Sequence, residues 1–361
     1  MLVKVQHGGN VEKVAKRLGL SETPDTTFDF SVNLNPVGPP PAVKTVLDNG
    51  ADITTRYPDE YAEEACNALA AAHGLPPEHV LIGNGATEII GCILQALRPA
   101  SAGTVAPTYS GYAQVCAAAG LPTTEAIVLS PDNGFEFGEP EKVRGAMEVI
   151  FVGSPNNPTG RLVPPTMLCE FSRRNPTKTV VADISFIDFT GPPCPEELKP
   201  EKLPPNMVVV KSLTTFFCIP GLRLGIGWAQ PELVELIKKV RLPWTVNGLA
   251  QELALSLYAD AAYMERSRTE TQALRERFGG LLATLPDVSA FRAEASFVLA
   301  RLPQDWLAAR LQGELLRRGF LIRSCEDFVG LDARYCRLTV RPEPEQDALI
   351  EALRSLLTAG A

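Results

Sequence analysis

Histidine is scarce in this chain, which has three in 361 residues: His7, His73 and His79. They lack the spacing of a metal-binding motif, so a zinc site is not expected. The eight cysteines include no CxxC pair, and a chain of this length does not depend on disulfides, so reduced thiols are expected. GxGxxG and GxxxxGK[ST] motifs are also missing, which removes the usual signatures of dinucleotide and P-loop sites.

The chain also lacks an excess of positive charge and long apolar runs. Its net charge of −8 argues against general binding to nucleic acid or to an anionic membrane surface. No run of about 18 uncharged apolar residues is found, so no membrane span is predicted. The first ten residues do not contain the apolar core of a secretory signal, and a cytoplasmic location is therefore the default expectation.

Short apolar runs alternate with helical stretches along most of the chain. The runs at 148–153, 179–183 and 206–210 are typical of strands that are buried on both faces of a parallel sheet. After about residue 250 the pattern changes to a long charged helix followed by shorter strand-like pieces. The sequence therefore predicts an α/β fold with a large domain and a smaller α+β domain.

Polar residues follow directly after the predicted strands. In the GNGATE segment, the backbone N–H groups of Gly85, Ala86 and Thr87 open a helix and would face an anion. In SLTTFFCIPGLRLG (212–225), side chains suited to a phosphate recur. They are Ser212, Thr214 and Arg223. In open α/β sheets, ligands bind beyond the carboxyl ends of the strands, so these elements should meet there.

Pyridoxal phosphate is the ligand that this set of residues suits. The cofactor needs a phosphate cradle, an acid beside its pyridinium nitrogen, a donor to its phenolate oxygen and an aromatic face. Asp183, at the end of a predicted strand, is the acid in this interpretation. Asn157 is the donor and Tyr109 stacks on the ring.

These motifs identify a family. The chain resembles, over nearly its whole length, the fold-type I pyridoxal-phosphate enzymes of aminotransferase class I/II. PNNPTG (155–160) and SLTTFFCIPGLRLG are specific to that superfamily, and RYPD (56–59) and LIRSCEDFVGLDARYCRLTVR (321–341) point to a subgroup. Within it the chain is most similar to the threonine-phosphate decarboxylases of cobalamin synthesis, which are close to the histidinol-phosphate aminotransferases.

The resemblance implies more about the fold and the reaction. It implies a mainly parallel sheet of seven strands in a large domain at 45–250. The small domain would be formed by both chain ends, 1–44 and 251–361. It also implies decarboxylation of an O-phosphorylated amino acid, threonine phosphate, to aminopropanol phosphate. Transamination of a substrate such as histidinol phosphate is the alternative enzyme function, and binding without catalysis is the alternative from another class.

The resemblance further implies a homodimer and a substrate site. Tyr57 of one subunit would reach the cofactor phosphate of the other subunit. Arg337 would bind the substrate carboxylate. Three residues would bind the distal phosphate and neighbouring polar groups, namely His7, Asn33 and Arg323.

One position departs from the family in a way that affects chemistry. The family motif reads SLTKF, and its lysine forms the Schiff base with the cofactor, whereas this chain has Thr215 in that position. Lys211 lies four residues too early to replace it. Three explanations are open: a deliberate replacement, a natural member without ordinary catalysis, or an enzyme that binds its cofactor without a covalent bond.

Overall fold

A computed structural model describes residues 8–20, 24, 27–139, 143 and 145–359. His7 therefore lies outside the described residues. Thirteen strands form among the residues described: β1 Phe28–Asp29, β2 Val80–Gly83, β3 Ala102–Ala106, β4 Thr123–Val128, β5 Val149–Gly153, β6 Thr179–Asp183, β7 Met207–Ser212, β8 Gly225–Trp228, β9 Ser289–Ala290, β10 Phe297–Arg301, β11 Phe320–Leu321, β12 Arg323–Ser324 and β13 Tyr335–Thr339.

Twelve α-helices accompany these strands in the described part of the chain: α1 Val11–Arg17, α2 Pro41–Asp48, α3 Gly50–Thr54, α4 Glu63–His73, α5 Ala86–Leu97, α6 Gly111–Ala118, α7 Pro165–Arg174, α8 Pro231–Lys238, α9 Gly248–Ala254, α10 Ala261–Leu282, α11 Ala308–Leu316 and α12 Glu343–Ala359. Of the helices described, none combines the length and the apolar character that a membrane crossing requires.

The large sheet has seven strands in the order β2-β8-β7-β6-β5-β3-β4. Strands β3 to β7 pair in parallel, and β8 is antiparallel to both of its neighbours. The parallel strands therefore end at one edge of the sheet, and β8 begins at that edge. This arrangement confirms the predicted α/β fold with a mainly parallel sheet of seven strands.

The apolar runs of the sequence form the centre of this sheet. All residues of β5 are buried, and so are Met207 to Lys211 of β7. Helices cover both faces, so side chains on either side of each strand enter a core. This double burial explains why these strands are apolar throughout instead of alternating with polar residues.

The later part of the chain forms a second layer. Strands β12, β13, β10 and β9 make an antiparallel sheet, and the long helix α10 packs on α12 and β10. The short strand β1, near the start of the chain, pairs with β11 in this later region. The first described elements, α1 and β1, thus pack against the later region. The exact domain boundaries at 44/45 and 250/251 stay a prediction.

Candidate active site

A cavity of about 230 Å³ lies at the carboxyl edge of the large sheet, between it and the later strands. Loops after β3, β5 and β6 and the segment between β7 and β8 surround it, together with the first turn of α5. Twelve residues that the sequence singled out line this cavity: Asn33, Ala86, Thr87, Tyr109, Asn157, Asp183, Ser212, Thr214, Thr215, Arg223, Arg323 and Arg337.

One end of the cavity has the groups that an anion requires. Helix α5 begins at Ala86, directly after Gly85, whose φ of +77° and ψ of 166° favour glycine. A Cβ on Gly85 would lie 2.7 Å from the Arg223 Nη2 atom, so the guanidinium lies against the helix start. The hydroxyls of Ser212 and Thr214 are hydrogen-bonded to each other at 2.8 Å nearby. Free N–H groups, hydroxyls and a guanidinium together suit a phosphate.

Asp183 ends β6 and carries the carboxylate of the site. Tyr112 Oη donates a hydrogen bond to Asp183 Oδ2 at 2.8 Å, and Ser185 donates to Oδ1 from its hydroxyl and, at 3.0 Å, from its backbone N–H. Burial raises the pKa of Asp183, and the hydrogen bonds from Ser185 and Tyr112 act in the opposite direction. Oδ1 uses both of its lone pairs for Ser185, whereas Oδ2 keeps one lone pair that can face a ligand.

Tyr109 follows β3 and places an aromatic ring in the same cavity. Its ring lies at 90° to the Tyr112 ring, with centroids 5.4 Å apart. Glycine at position 111 makes this placement possible, because a Cβ there would lie 2.2 Å from the Tyr109 ring. The ring is therefore fixed on two sides and offers a flat surface to a bound aromatic group.

Arg337, on β13, connects the later sheet to the loop after β5. Its Nη1 donates to Asn157 Oδ1 at 2.6 Å, and its Nη2 donates to the Ser31 carbonyl at 2.6 Å. Because the Asn157 oxygen is occupied, the Asn157 NH₂ group is left as a donor. Burial lowers the pKa of Arg337 to about 10, and its Nε has no partner within the described chain. An anionic ligand would supply this missing acceptor.

Arg323, on β12, is the second buried guanidinium of the cavity. Its Nη2 donates to the Asp327 carboxylate at 2.8 Å, and its guanidinium carbon lies 5.0 Å from the centre of the Phe328 ring. The carboxylate and the ring therefore stabilise the buried charge.

Thr215 lines the cavity, whereas Lys211 faces away from it. The Lys211 ammonium is fully buried and contacts Asp188 Oδ1 at 2.8 Å, the Pro193 carbonyl at 3.0 Å and His73 Nε2 at 3.3 Å. These contacts use its three protons. No lysine is among the cavity-lining residues in the described ranges.

Two of the predicted site residues, Gly85 and Tyr57, do not line the cavity of the single chain. Gly85 is next to the cavity lining, and its N–H donates to the Gly83 carbonyl at 2.8 Å, so the prediction that this N–H faces an anion is wrong. Gly85 instead precedes α5 as its N-terminal cap, and the N–H groups of Ala86 and Thr87 open the helix. Tyr57 is 89% exposed and packs on Trp244, with ring centroids 5.8 Å apart, outside the cavity. Sequence reasoning did not select Tyr112 and Ser185, which contact Asp183. The position of Ser185 just after β6 was visible in the sequence, but the direction of its hydroxyl and that of Tyr112, in the first turn of α6, were not.

The chain belongs to the aminotransferase class I and II family, whose profile matches residues 25–356. Enzymes of this family depend on pyridoxal phosphate. The threonine-phosphate decarboxylase of Salmonella typhimurium is 33% identical over 98% of this chain and 96% of its own length. The histidinol-phosphate aminotransferase of Nitratidesulfovibrio vulgaris is 31% identical over 97% of this chain and 93% of its own.

A solved structure gives the same relationship in three dimensions. The L-threonine-O-3-phosphate decarboxylase of Porphyromonas gingivalis superposes with a TM-score of 0.81 at 26% identity, over 91% of this chain and 99% of that one. The expected fold-type I architecture is thereby confirmed.

The residues of the cavity fit pyridoxal phosphate except at one position. The anion cradle at the start of α5, the Asp183 carboxylate, the free Asn157 NH₂ group and the Tyr109 ring match the groups that the cofactor presents. Thr215 offers no amine for a covalent bond to the cofactor.

Proposed function

We propose that this chain is a pyridoxal-phosphate-dependent decarboxylase of threonine phosphate in cobalamin synthesis, with its rate lowered by Thr215. The observation that carries this proposal is the convergence on one cavity of an anion cradle, a carboxylate and two buried arginines. The cradle and the carboxylate suit the cofactor. The two arginines suit a substrate with two anionic groups, and threonine phosphate has a carboxylate and a phosphate.

Each end of the cofactor has its own group of residues in this proposal. The N–H groups at the start of α5, the hydroxyls of Ser212 and Thr214 and the guanidinium of Arg223 hold the phosphate. Asp183 holds a proton at the ring nitrogen, and the Asn157 NH₂ group donates to the phenolate oxygen. The bound cofactor supplies an electron-withdrawing ring that weakens the bonds at the substrate Cα atom.

The substrate is gripped at both anionic ends. Arg337 binds the carboxylate through the Nε atom that has no partner and by exchanging its bond to the Ser31 carbonyl. Arg323 binds the distal phosphate with the donors that Asp327 and the Ser324 carbonyl leave free, and Asn33 also lines the cavity. His7 belongs to the same proposed set, although it lies outside the described residues. Loss of the carboxyl group as carbon dioxide leaves Cα to accept a proton.

Thr215 limits this reaction because its hydroxyl cannot replace an amine as an acid–base group near Cα. The absence of such a group costs on the order of 10²–10⁴-fold in rate. Lys211 cannot move into the cavity without leaving Asp188 as an unpaired buried carboxylate, which is strongly unfavourable. The expected activity of the chain with Thr215, which we call the wild type, is therefore low, with the cofactor bound without a covalent bond.

The decisive experiment is the Thr215→Lys substitution. We expect the variant to release carbon dioxide from threonine phosphate at least about 10²-fold faster than the wild type. Borohydride reduction followed by mass spectrometry should attach the cofactor at position 215 in the variant. In the wild type, it should leave residues 205–225 unmodified. A keto acid formed from threonine phosphate would instead establish the transaminase alternative.

A second candidate function is supported by the same threonine. A cavity that brings together the anion cradle, Asp183 and the two buried arginines but offers no lysine suits a non-catalytic protein that binds pyridoxal phosphate or an amino-acid phosphate. Thr215→Lys separates the two. If the variant takes up the cofactor covalently and turns over neither threonine phosphate nor histidinol phosphate, the binding function replaces the decarboxylase.

A further inference from the structure

Ser185 occupies a position in the hydrogen-bond network that determines which way its single proton points. The backbone N–H of Ser212 donates to Ser185 Oγ at 2.8 Å. An N–H group can only donate, so Ser185 must accept this bond and its own proton remains for another acceptor. That acceptor is Asp183 Oδ1, which the hydroxyl contacts at close range. Ser185 thus accepts a hydrogen bond from β7 and donates one to the carboxylate.

Ser212, the donor to Ser185, also contacts the anion cradle at the opposite end of the cavity. Ser212 ends β7, and its hydroxyl is bonded to the Thr214 hydroxyl at 2.8 Å and accepts from the Thr214 N–H at 3.3 Å. Ser212 therefore contacts Ser185 through its backbone and Thr214 through its side chain, and so connects the surroundings of the Asp183 carboxylate to the anion cradle. Asp183, Ser185, Ser212 and Thr214 all line the cavity. A ligand that spans the cavity would therefore contact both the carboxylate and the anion cradle.

The second oxygen of Asp183 has its own donor. Tyr112 Oη donates to Oδ2 at 2.8 Å, and burial raises the pKa of Tyr112 well above its ordinary value, so this phenol remains a donor. Three hydrogen bonds reach the carboxylate, two of them from Ser185. They favour the ionised form of Asp183 and oppose the effect of burial.

We infer that Ser185 is a positioning residue that keeps Asp183 ionised and oriented, so that the shared proton stays on the ring nitrogen of the bound cofactor. This inference rests on the proposed function, since it takes a pyridine ring to lie against Asp183. The hydroxyl acts through Asp183 and does not touch the reacting atoms. Without the hydroxyl, Asp183 becomes a stronger base and draws the proton away from the ring.

The test uses pyridoxamine 5′-phosphate that carries ¹⁵N at the ring nitrogen, because this probe does not react with lysines. We expect the ¹⁵N resonance of the probe bound to the wild-type chain near neutral pH to have the position of a protonated ring. Ser185→Ala should move it toward the position of a neutral pyridine. Ser185→Thr, which keeps the hydroxyl, should restore the protonated position.

Two further variants separate the loss of the hydroxyl from any effect of the substitution on folding. Ser185→Val has the shape of Ser185→Thr without the hydroxyl, so the resonances of this pair should differ even if the alanine variant does not fold. Ser172→Ala is the matched control. Ser172 is a fully buried serine on α7 whose hydroxyl donates to Asn206 Oδ1 at 2.9 Å, remote from the cavity. Its loss should leave the resonance unchanged.

The outcomes separate this inference from the proposed function. If the probe binds and its resonance is the same in Ser185→Ala and Ser185→Val as in the wild type, Ser185 has only a structural role and the inference is wrong, while cofactor binding stands. If the wild-type chain does not bind the probe, the proposed cofactor site and this inference both fail. A neutral ring already in the wild type would also overturn the inference.

Discussion

At the scale of single residues, Lys211 and Thr215 have opposite surroundings although they are four positions apart. Lys211 is fully buried behind β7, among Asp188, His73 and Tyr258, and its ammonium lies 5.3 Å from the centre of the Tyr258 ring. Thr215 faces the cavity. The Lys211 side chain therefore points away from the cavity, in agreement with its place four residues before Thr215. A lysine in the sequence near a catalytic position is therefore not evidence that an amine is available there.

His73 makes this buried network sensitive to pH. Its Nδ1 contacts the Leu69 carbonyl at 2.7 Å and its Nε2 faces Lys211 at 3.3 Å, so the ring is neutral with its proton on Nδ1. Burial, followed by the charge of Lys211, lowers the pKa of His73 well below 6.5. The unfolded chain binds this proton below about pH 6.5, whereas the folded chain does not.

Stability should consequently fall as the pH drops below about 6.5, by up to about 1.4 kcal/mol per pH unit from His73 alone. Urea unfolding of the wild type and of His73→Gln between about pH 7.5 and pH 5 measures this contribution as the difference in slope. His79→Gln is the control, because the His79 ring is only partly buried and bonds the Ala229 carbonyl at 2.8 Å. Equal slopes for the wild type and His73→Gln would show that the ring is not held neutral.

At the scale of elements, the sequence predicted the strands and the residues that follow them, because both follow from local pattern. Apolar runs gave β5, β6 and β7, and parallel pairing brings their carboxyl ends to one edge. The contacts of Ser185 and Tyr112 with Asp183 were not predictable in this way. They depend on side-chain rotamers and on the distance between β6 and α6, which no local pattern encodes.

The junction of β2 and α5 gives a prediction at this scale. Gly85→Ala would place a methyl group 2.7 Å from Arg223 Nη2 and force a non-glycine residue into a strained backbone region, at a cost of about 1–3 kcal/mol. Because the guanidinium must move, pyridoxamine phosphate should bind on the order of tenfold more weakly or worse, as measured by equilibrium dialysis.

Gly134→Ala is the matched control for this junction. Gly134 has a φ of +68°, and a Cβ added there would meet no neighbouring atom within 4 Å, so the substitution also introduces backbone strain. It should destabilise the fold by about 1 kcal/mol and leave the affinity for pyridoxamine phosphate unchanged. Equal affinities for the two alanine variants would mean that Gly85 does not form part of the phosphate cradle.

At the scale of the whole molecule, an exposed apolar surface lies away from the cavity. Tyr57 and Trp244 pack together at 89% and 49% exposure, and Leu242 is 69% exposed close by in the chain. The loops that carry Tyr57 and Trp244 are joined by a hydrogen bond from the Trp244 N–H to the Glu60 carbonyl at 2.8 Å. Large apolar side chains grouped in this way are typical of a surface that another protein covers.

A second copy of this chain is the partner that we predict, in a homodimer with twofold symmetry that brings Tyr57 to the cofactor phosphate of the neighbouring subunit. Light scattering at micromolar concentration should give twice the mass of 39.0 kDa that one chain has. Tyr57→Ala should weaken binding of pyridoxamine phosphate, because the phosphate loses a hydroxyl contact from the partner subunit. Leu307→Ala, which alters another exposed apolar residue at 52% exposure, should change neither the mass nor the affinity.

Mixed dimers test whether the two subunits share each site. Tyr57→Ala and Arg223→Ala each damage both sites of their own homodimer. In a mixed dimer, one site receives both substitutions and the other receives neither, because Tyr57 crosses the interface while Arg223 stays in its own subunit. Equilibrium dialysis of the mixed dimer should therefore detect one site of wild-type affinity per dimer. A monomeric mass with the cofactor still bound, or two weakened sites in the mixed dimer, would show that Tyr57 does not act across an interface.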